Sequence, residues 1–359
     1  MTDQGLYSAL FAAHEGSDRT FLELDDGSLS YGDFLALAAR QATVLADAGV
    51  APGDRVAVQV AKTPEALALV AACARIGAAV LPLNTSYTPA ELEYFVTDAA
   101  PAVLVCDPSS EAALTPIAVS VSAKLVTLDA EGAGSLSDAA ASAAPMAAVA
   151  KRRGDDLAAI LYTSGPTGRS KGAMLTNDNL LSNALTLRDL WQFTSEDHLI
   201  HALPIFHTHG LFVAVNVAVS AGCSMRFMAK FDPDKVFAAM PNATSMMGVP
   251  TFYTRLLADP RLTREATAGI RLFISGSAPL LAETHVEFEA RTGQRILERY
   301  GMTETNMNTS NPFDGERRAG TVGMPLPGVE VHVTDPATGE ALPQGARGMI
   351  EVRGDNVFS

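Results

Sequence analysis

Residues 55–106 read RVAVQVAKTPEALALVAACARIGAAVLPLNTSYTPAELEYFVTDAAPAVLVC and alternate two kinds of segment. Three short runs are largely apolar, as expected of buried strands: 55–60, 79–83 and 102–106. Between them, Thr63-Pro64-Glu65 and Thr88-Pro89-Ala90-Glu91 each combine a cap residue, an early proline and an acid, which is typical of a helix start. Continuous apolar strands, rather than strands apolar at every second position, belong to parallel sheets covered on both faces. This stretch therefore predicts an α/β fold.

The same alternation continues on both sides. Residues 31–48 space their apolar side chains for a helix, with Gly49 as its stop signal. Further strands are predicted at 157–162, 199–203, 224–228, 244–248, 271–275 and 295–299. After residue 320, short β segments with Pro and Gly turns indicate an antiparallel hairpin. The predicted architecture is two doubly wound β/α subdomains and a partial small β-barrel: residues 1–150, 151–319 and 320–359.

Composition excludes several classes of protein. The chain has 359 residues, with 26 Lys and Arg against 40 Asp and Glu, a formal net charge of −14 and 48% apolar residues. That apolar fraction can form a large core and excludes a disordered chain. The acidic balance argues against a nucleic-acid or anionic-membrane surface, because such partners require a high density of cations.

The sequence also indicates a compartment. No charge-free apolar run approaches the roughly 18 residues of a membrane span, and the opening MTDQGLYSAL lacks the pattern of a signal peptide. Cys73, Cys106 and Cys223 are scattered, which fits a reducing compartment and excludes a Cys-rich metal site. We therefore expect a cytoplasmic enzyme with small-molecule partners.

Residues 161–172, LYTSGPTGRSKG, follow a predicted strand and are rich in Ser, Thr and Gly. Glycines let backbone N–H groups turn towards an anion, hydroxyls donate further hydrogen bonds, and Lys171 supplies a point charge for phosphate. The loop does not match the Walker A pattern. From composition alone, an ordinary surface loop is slightly favoured over a phosphate site.

Histidines and one arginine offer further candidates. His207 and His209, with His201 six residues earlier, have no acid or cysteine at a matching metal-ligand spacing, so a zinc site is less favoured than core histidines or a pocket wall. Arg255 lies in the otherwise apolar stretch PTFYTRLL, at 250–257. A lone arginine there is usually a surface residue, but a substrate with a second carboxylate would need a buried cation of this kind.

Five motifs in order resemble those of the adenylate-forming acyl-CoA synthetase and luciferase superfamily. They are the loop at 161–172, LPIFHTHG at 203–210, SGSAPL at 275–280, YGMTET at 300–305, and the pair GTVGMPLPG at 320–328 and GMIEVRG at 348–354. Within that superfamily, the run from 160 to 307 is most similar to the malonyl-CoA synthetases. The resemblance implies the large N-terminal domain of these enzymes, with ATP, Mg²⁺ and coenzyme A as reactants. G-x-S-x-G and G-x-G-x-x-G motifs are absent from the sequence, which argues against a hydrolase and a nicotinamide-dependent dehydrogenase.

The resemblance also implies roles for individual residues. The residues implied to cradle the phosphates are Ser164, Gly165, Thr167, Gly168 and Lys171. Those implied to bind the rest of the nucleotide are Ser277, Ala278, Glu298, Tyr300, Gly301 and Thr303, with Tyr300 stacking on adenine and Thr303 contacting the α-phosphate. Those implied to contact the acid are His207, Arg255, Ser277 and Met302. Thr163 and Glu304 are implied to hold Mg²⁺, and the catalytic set is Thr163, Lys171, His207 and Glu304.

The function expected from this resemblance is ATP-dependent synthesis of malonyl-CoA through a malonyl-adenylate, with methylmalonate as a second substrate. Two alternatives stay open at this point. One is a synthetase for a short monocarboxylic acid, with Arg255 structural; the other is a nucleotide-binding fragment without turnover.

Two departures from the family pattern favour low activity. Pro166 stands where the family's loop usually has Thr or Ser, and it removes one N–H and one hydroxyl. The sequence also ends before the family's ribose-binding Asp, hinge and C-terminal domain with its catalytic lysine. We therefore expect weak nucleotide binding and little or no turnover.

Overall fold

The computed structural model describes residues 4–163 and 170–358. Within them, the helices are α1 (Tyr31–Asp47), α2 (Pro64–Ile76), α3 (Pro89–Ala99), α4 (Glu111–Ser120), α5 (Ser135–Ser142), α6 (Asn177–Leu190), α7 (Asn216–Ala221), α8 (Pro233–Ala239), α9 (Pro250–Leu257) and α10 (Ala282–Thr292). The strands are β1 (Thr20–Leu24), β2 (Gly27–Ser30), β3 (Arg55–Gln59), β4 (Ala79–Pro82), β5 (Val103–Cys106), β6 (Lys124–Thr127), β7 (Leu157–Thr163), β8 (Lys171–Thr176), β9 (His198–His201), β10 (Ser224–Phe227), β11 (Ser245–Gly248), β12 (Leu272–Ser275), β13 (Leu297–Met302), β14 (Asn306–Ser310), β15 (Met324–Pro325), β16 (Val329–Thr334) and β17 (Met349–Gly354).

The first sheet has the spatial order β6-β5-β3-β4-β7-β8 in the described part of the chain. Its pairings are parallel except for β7 with β8, which are antiparallel. All four residues of β4 and of β5 are buried. The apolar runs of 55–106 thus form the predicted parallel strands covered on both faces, and the predicted α/β class is confirmed.

The second sheet has the order β15-β14-β13-β12-β11-β9-β10-β1-β2 among the described residues. It is parallel from β13 to β1 and antiparallel at both ends. The two sheets do not divide at residue 150. The strands β1 and β2, which precede it, belong to the second sheet, and β7 and β8, which follow it, belong to the first. The division at 150 therefore stays a prediction about domains and does not separate the two sheets.

Helix starts follow the local signals in the sequence. The Thr63 hydroxyl accepts a hydrogen bond from the N–H of Ala66, and Thr88 and Glu91 form a reciprocal capping box. α2 ends at Gly77, whose φ of 77° suits glycine. These caps confirm the two helix starts predicted from the Thr-Pro motifs.

The C-terminal residues form the expected hairpin. β16 and β17 pair antiparallel, with Val331 opposite Val352. The helices of the described residues include none long and apolar enough to span a membrane.

The β13–β14 hairpin is held in place from α6. Asn183 of this helix donates to the carbonyl of Met307 at 2.8 Å and accepts from the N–H of Met307 at 3.2 Å. Asn183 is 4% exposed, so water does not substitute for it. This contact fixes the hairpin that carries residues 300–305 against the carboxyl edge of the second sheet, where α/β proteins bind their ligands.

We expect Asn183→Ala to lower the free energy of unfolding by about 2 kcal/mol, because it leaves the buried N–H of Met307 without a partner. Urea denaturation measures the change. Asn242→Ala is the matched control, since Asn242 is exposed. Equal stability of the two variants would show that the hairpin does not depend on this contact.

Candidate active site

A cavity of about 390 Å³ lies at the carboxyl edge of the second sheet. Its walls come from the segment after β9, from the residue after β11, from the turn after β12 and from the β13–β14 hairpin. The lining residues are Leu203, Pro204, His207, Thr208, His209, Gly210, Val249, Ser277, Arg299, Gly301, Met302, Thr303 and Met307. The fold therefore brings together parts of three motifs that are up to 100 residues apart in the sequence.

Five of the sequence-predicted site residues line this cavity: His207, Ser277, Gly301, Met302 and Thr303. Their neighbours in the chain, Ala278 and Tyr300, are exposed and half-buried, respectively. Burial, with Glu304 nearby, raises the pKa of the Tyr300 hydroxyl. These positions agree with a shared site, although the roles assigned to them stay predictions.

Arg255 is not in this cavity. It is exposed on α9, and its guanidinium lies 4.8 Å from the ring centre of Phe231. The helix turns Tyr253, Leu256 and Leu257 inwards and leaves Arg255 outside. Arg255 is thus exposed and outside this cavity, and its assignment to the second carboxylate of the acid stays a prediction.

Arg299 is the cation that does line the cavity. It is 3% exposed, and its Nε and Nη2 atoms have no hydrogen-bond partner among the described residues. Burial lowers the pKa of Arg299 to about 9, so the guanidinium is still charged at neutral pH. An unpaired buried charge is costly, by several kcal/mol. Arg299 is thus poised to accept an anion.

The sequence carried a signal for Arg299. It lies in the predicted strand 295–299, which the fold buries, and a charged residue in a buried strand needs a partner. The resemblance instead implies that the flanking residue Glu298 binds the nucleotide. Side chains alternate along a strand, so the two neighbours point to opposite faces.

Two glycines make this arrangement possible. A Cβ on Gly276 would lie 2.2 Å from Nη1 of Arg299, so the guanidinium rests directly on the backbone of this residue. A Cβ on Gly301 would lie 1.8 Å from the carbonyl oxygen of Asn306, where β13 and β14 pair with an irregular register. The backbone contact at Gly301 excludes a larger side chain, and a side chain on Gly276 would displace the guanidinium of Arg299.

His209 is a second polar group of the cavity. It is buried, its Nδ1 lies 3.2 Å from the Ser277 hydroxyl, and its Nε2 has no partner among the described residues. Burial, together with the nearby charge of Arg299, holds the pKa of His209 well below its ordinary value. The imidazole is therefore neutral at physiological pH and leaves Arg299 as the cation of the lining.

Thr163 and Glu304, which the resemblance implies as magnesium ligands, lie close together. The Thr163 hydroxyl donates to Oε1 of Glu304 at 3.3 Å, although 141 residues separate them. Lys171 is exposed and lies opposite Thr163 in the antiparallel pair of β7 and β8. Four predicted phosphate-binding residues fall outside the described ranges, as does Pro166: Ser164, Gly165, Thr167 and Gly168.

The oxygen pair of Thr163 and Glu304 fits a magnesium ion, which prefers oxygen ligands and usually shares them with substrate phosphates. Residues 4–163 and 170–358 hold no cluster of three or more His, Cys, Asp and Glu side chains suited to a metal. A cation here would thus draw the rest of its ligands from a bound nucleotide or water.

Glu298, which the resemblance places at the nucleotide, contacts other parts of the protein. It is buried on the far face of β13, where it accepts hydrogen bonds from Nδ1 of His285 at 3.1 Å and from the N–H of Gly320 at 3.3 Å. It does not line the cavity. Its contacts tie α10 and the segment after β14 to the strand.

Comparison with known proteins assigns the family. The family model described as AMP-binding enzyme matches residues 11–359. Malonate–CoA ligase of Arabidopsis thaliana is 31% identical over 369 residues, which cover 92% of this chain and 60% of that protein. The chain thus spans less than two thirds of the length of this relative.

Solved structures agree with the assignment. ATP-bound MatB from Rhodopseudomonas palustris is 58% identical with a TM-score of 0.97, covering 100% of this chain and 71% of that one. A malonyl-CoA ligase with methylmalonyl-CoA and AMP bound is 36% identical with a TM-score of 0.82, covering 98% and 72%. The chain belongs to the AMP-binding, adenylate-forming family of acid–thiol ligases.

Proposed function

We propose that this chain carries the acid- and nucleotide-binding site of a malonyl-CoA synthetase. In the first step, a malonate carboxylate attacks the α-phosphorus of ATP and gives malonyl-AMP and diphosphate. In the second, the thiol of coenzyme A attacks the acyl carbonyl and releases AMP and malonyl-CoA. The observation that carries the proposal is the buried guanidinium of Arg299 in the cavity, whose Nε and Nη2 have no hydrogen-bond partner among residues 4–163 and 170–358.

Arg299 would bind the carboxylate that does not react. Its two free N–H-bearing nitrogens, Nε and Nη2, suit the paired oxygens of a carboxylate. In a synthetase for a monocarboxylic acid, the same cation would face only apolar substrate and stay unpaired. This contrast supports a dicarboxylic acid over the monocarboxylate alternative.

The size of the cavity supports a small acid. Met302 lines it and is 39% exposed, so it can limit the substituent carried by the central carbon of malonate. Methylmalonate is the proposed second substrate. The 36%-identical malonyl-CoA ligase was crystallised with methylmalonyl-CoA and AMP, which supports this extension.

The remaining residues serve adenylation. Charge develops on the phosphate oxygens during attack, and fixed donors with a metal stabilise it better than a general base would. Mg²⁺, which Thr163 and Glu304 would hold, would stabilise part of that negative charge. We propose Lys171 with the loop residues Ser164, Gly165, Thr167 and Gly168 for the β- and γ-phosphates. For adenine, ribose and the α-phosphate we propose Ser277, Ala278, Tyr300, Gly301 and Thr303.

Two further assignments follow from position. His207 is exposed at the cavity and forms part of the wall beside the acyl group, while the neutral His209 offers its free Nε2 to the acid. Glu298, whose partners are His285 and Gly320, receives a structural role instead of a nucleotide contact.

The main alternative is binding without turnover. The chain spans 60% of its Arabidopsis relative, so coenzyme A use and the complete reaction belong to this proposal for the whole protein. Of the steps in this proposal, the binding of malonate and the binding of ATP can be tested with this chain alone. The experiments below therefore measure affinity rather than turnover.

We expect Arg299→Met to weaken malonate binding by about 100-fold, because two charge-assisted hydrogen bonds are lost while side-chain volume is kept. Isothermal titration calorimetry with malonate in the presence of ATP measures this change. Arg255→Met is the matched control and should leave malonate affinity unchanged. If only the Arg255 variant loses malonate affinity, then Arg255 and not Arg299 binds the carboxylate that does not react.

Malonate affinity should fall at high pH. The pKa of Arg299 in the free cavity is about 9, against 12.5 for an ordinary arginine. Malonate keeps both carboxylates ionised above neutral pH, so its binding requires the protonated guanidinium and raises the pKa of Arg299. Affinity should therefore be level below about pH 8 and fall by up to about tenfold per pH unit above pH 9. A level profile to about pH 10 would show that the pKa of Arg299 is not lowered in the free cavity.

We expect Glu304→Gln to reduce the strengthening of ATP binding by Mg²⁺ by about tenfold, because the ion loses its protein carboxylate. ATP titrations with and without Mg²⁺ give the difference for each variant. Glu316→Gln, at an exposed acid, is the control. If Mg²⁺ strengthens ATP binding equally in both variants, Glu304 does not hold the ion.

A further inference from the structure

Lys62 is a half-buried lysine that pairs with no acid among the described residues. It follows β3, and its amine donates to Nδ1 of His201 at 2.7 Å and to the carbonyl oxygen of His201 at 2.8 Å. The amine also lies 4.3 Å from the ring centre of Phe227. Burial holds the pKa of Lys62 well below its ordinary value. The amine of Lys62 thus donates both of these hydrogen bonds to a single histidine, which belongs to the second sheet.

These contacts fix the tautomer of His201. Its Nε2 lies 2.8 Å from the carbonyl oxygen of Gly210, which can only accept, so Nε2 carries the proton. Nδ1 is then an acceptor for Lys62. Burial, with Lys62 beside the ring, lowers the pKa of His201 to about 3, and the ring is neutral. A chain of hydrogen bonds therefore runs from the end of β3 through His201 to Gly210.

Gly210 is the last residue in one wall of the cavity that we propose for malonate. A Cβ on Gly210 would lie 2.0 Å from the carbonyl oxygen of Pro204, so residues 204–210 close on themselves tightly. This acyl wall, as we call residues 204–210, contributes His207 and His209 to the cavity. It leads into a π-helical segment, His209–Val215, and such segments are frequent at functional sites.

We propose that Lys62 is a positioning residue that holds the acyl wall in its binding geometry through His201. Without a donor at Nδ1, the proton of His201 can move to that atom. Nε2 would then present a lone pair to the carbonyl oxygen of Gly210, and the two acceptors repel each other. The acyl wall shifts in response, although no residue that touches the acid has changed.

The test is Lys62→Met, which keeps the length of the side chain and removes the donor. Malonate affinity should fall by about fivefold, the worth of one neutral hydrogen bond. ATP affinity should stay within about twofold, since the hydrogen-bond chain does not touch β7, β8 or β13. Lys230→Met is the matched control, because Lys230 lines the same neighbouring cavity of about 460 Å³ as Lys62 but is exposed.

A spectroscopic measurement separates positioning from a general loss of structure. In ¹⁵N-labelled protein, His201 should show the Nε2–H tautomer alone, and Lys62→Met should show a mixture of both tautomers. Equal losses of malonate and ATP affinity, unchanged malonate affinity, or an unchanged tautomer would each overturn the proposal.

The malonate measurement rests on the function proposed above, whereas the tautomer measurement does not. If the unmodified chain fails to bind malonate, the proposed substrate is wrong. The ¹⁵N signals of His201, together with those of His207 and His209, then decide about Lys62: unchanged signals in Lys62→Met overturn the positioning role, and altered signals at all three support it.

Discussion

The guanidinium of Arg299, buried against the backbone of Gly276 with Nε and Nη2 unpartnered in the described part of the chain, is the constraint on which the proposed site depends. A charge in that position is stable only if the surroundings admit an anion. Every neighbouring feature serves this arrangement: Gly276 makes room, the tight β13–β14 pair at Gly301 sets the strand, and the neutral His209 adds no second charge. The lining thus holds one cation, and the ligand that we propose for it is an anion whose second carboxylate pairs with Arg299.

The two sheets contribute to the site in different ways. The second sheet supplies the cavity through the segments that follow β9, β11, β12 and β13. The first sheet supplies Thr163 and Lys171 on the antiparallel pair β7–β8, and it reaches the acyl wall through Lys62. In the proposed function, residues from distant parts of the chain therefore contact the malonate and the phosphates separately, and we expect that the two affinities can be changed one at a time.

Much of the fold follows from local pattern, and much of the site does not. Apolar runs and Thr-Pro caps are local signals, so the strands and helices of 55–106 are where the sequence predicts them. Sheet membership depends on pairing between distant segments, so the positions of β1, β2, β7 and β8 could not be predicted. Arg255 lies in an apolar stretch and Arg299 in a predicted strand, and only the three-dimensional packing shows that the first faces solvent and the second faces the cavity. The pairing of Thr163 with Glu304 came from motif resemblance, which carries such long-range information.

The most direct test is a crystal structure of the chain with malonate bound. The account predicts one carboxylate of malonate within hydrogen-bond distance of Nε and Nη2 of Arg299, with the other carboxylate directed towards Thr303 and the nucleotide residues. Malonate bound elsewhere, with the guanidinium of Arg299 still unpartnered or paired with a protein acid, would contradict it.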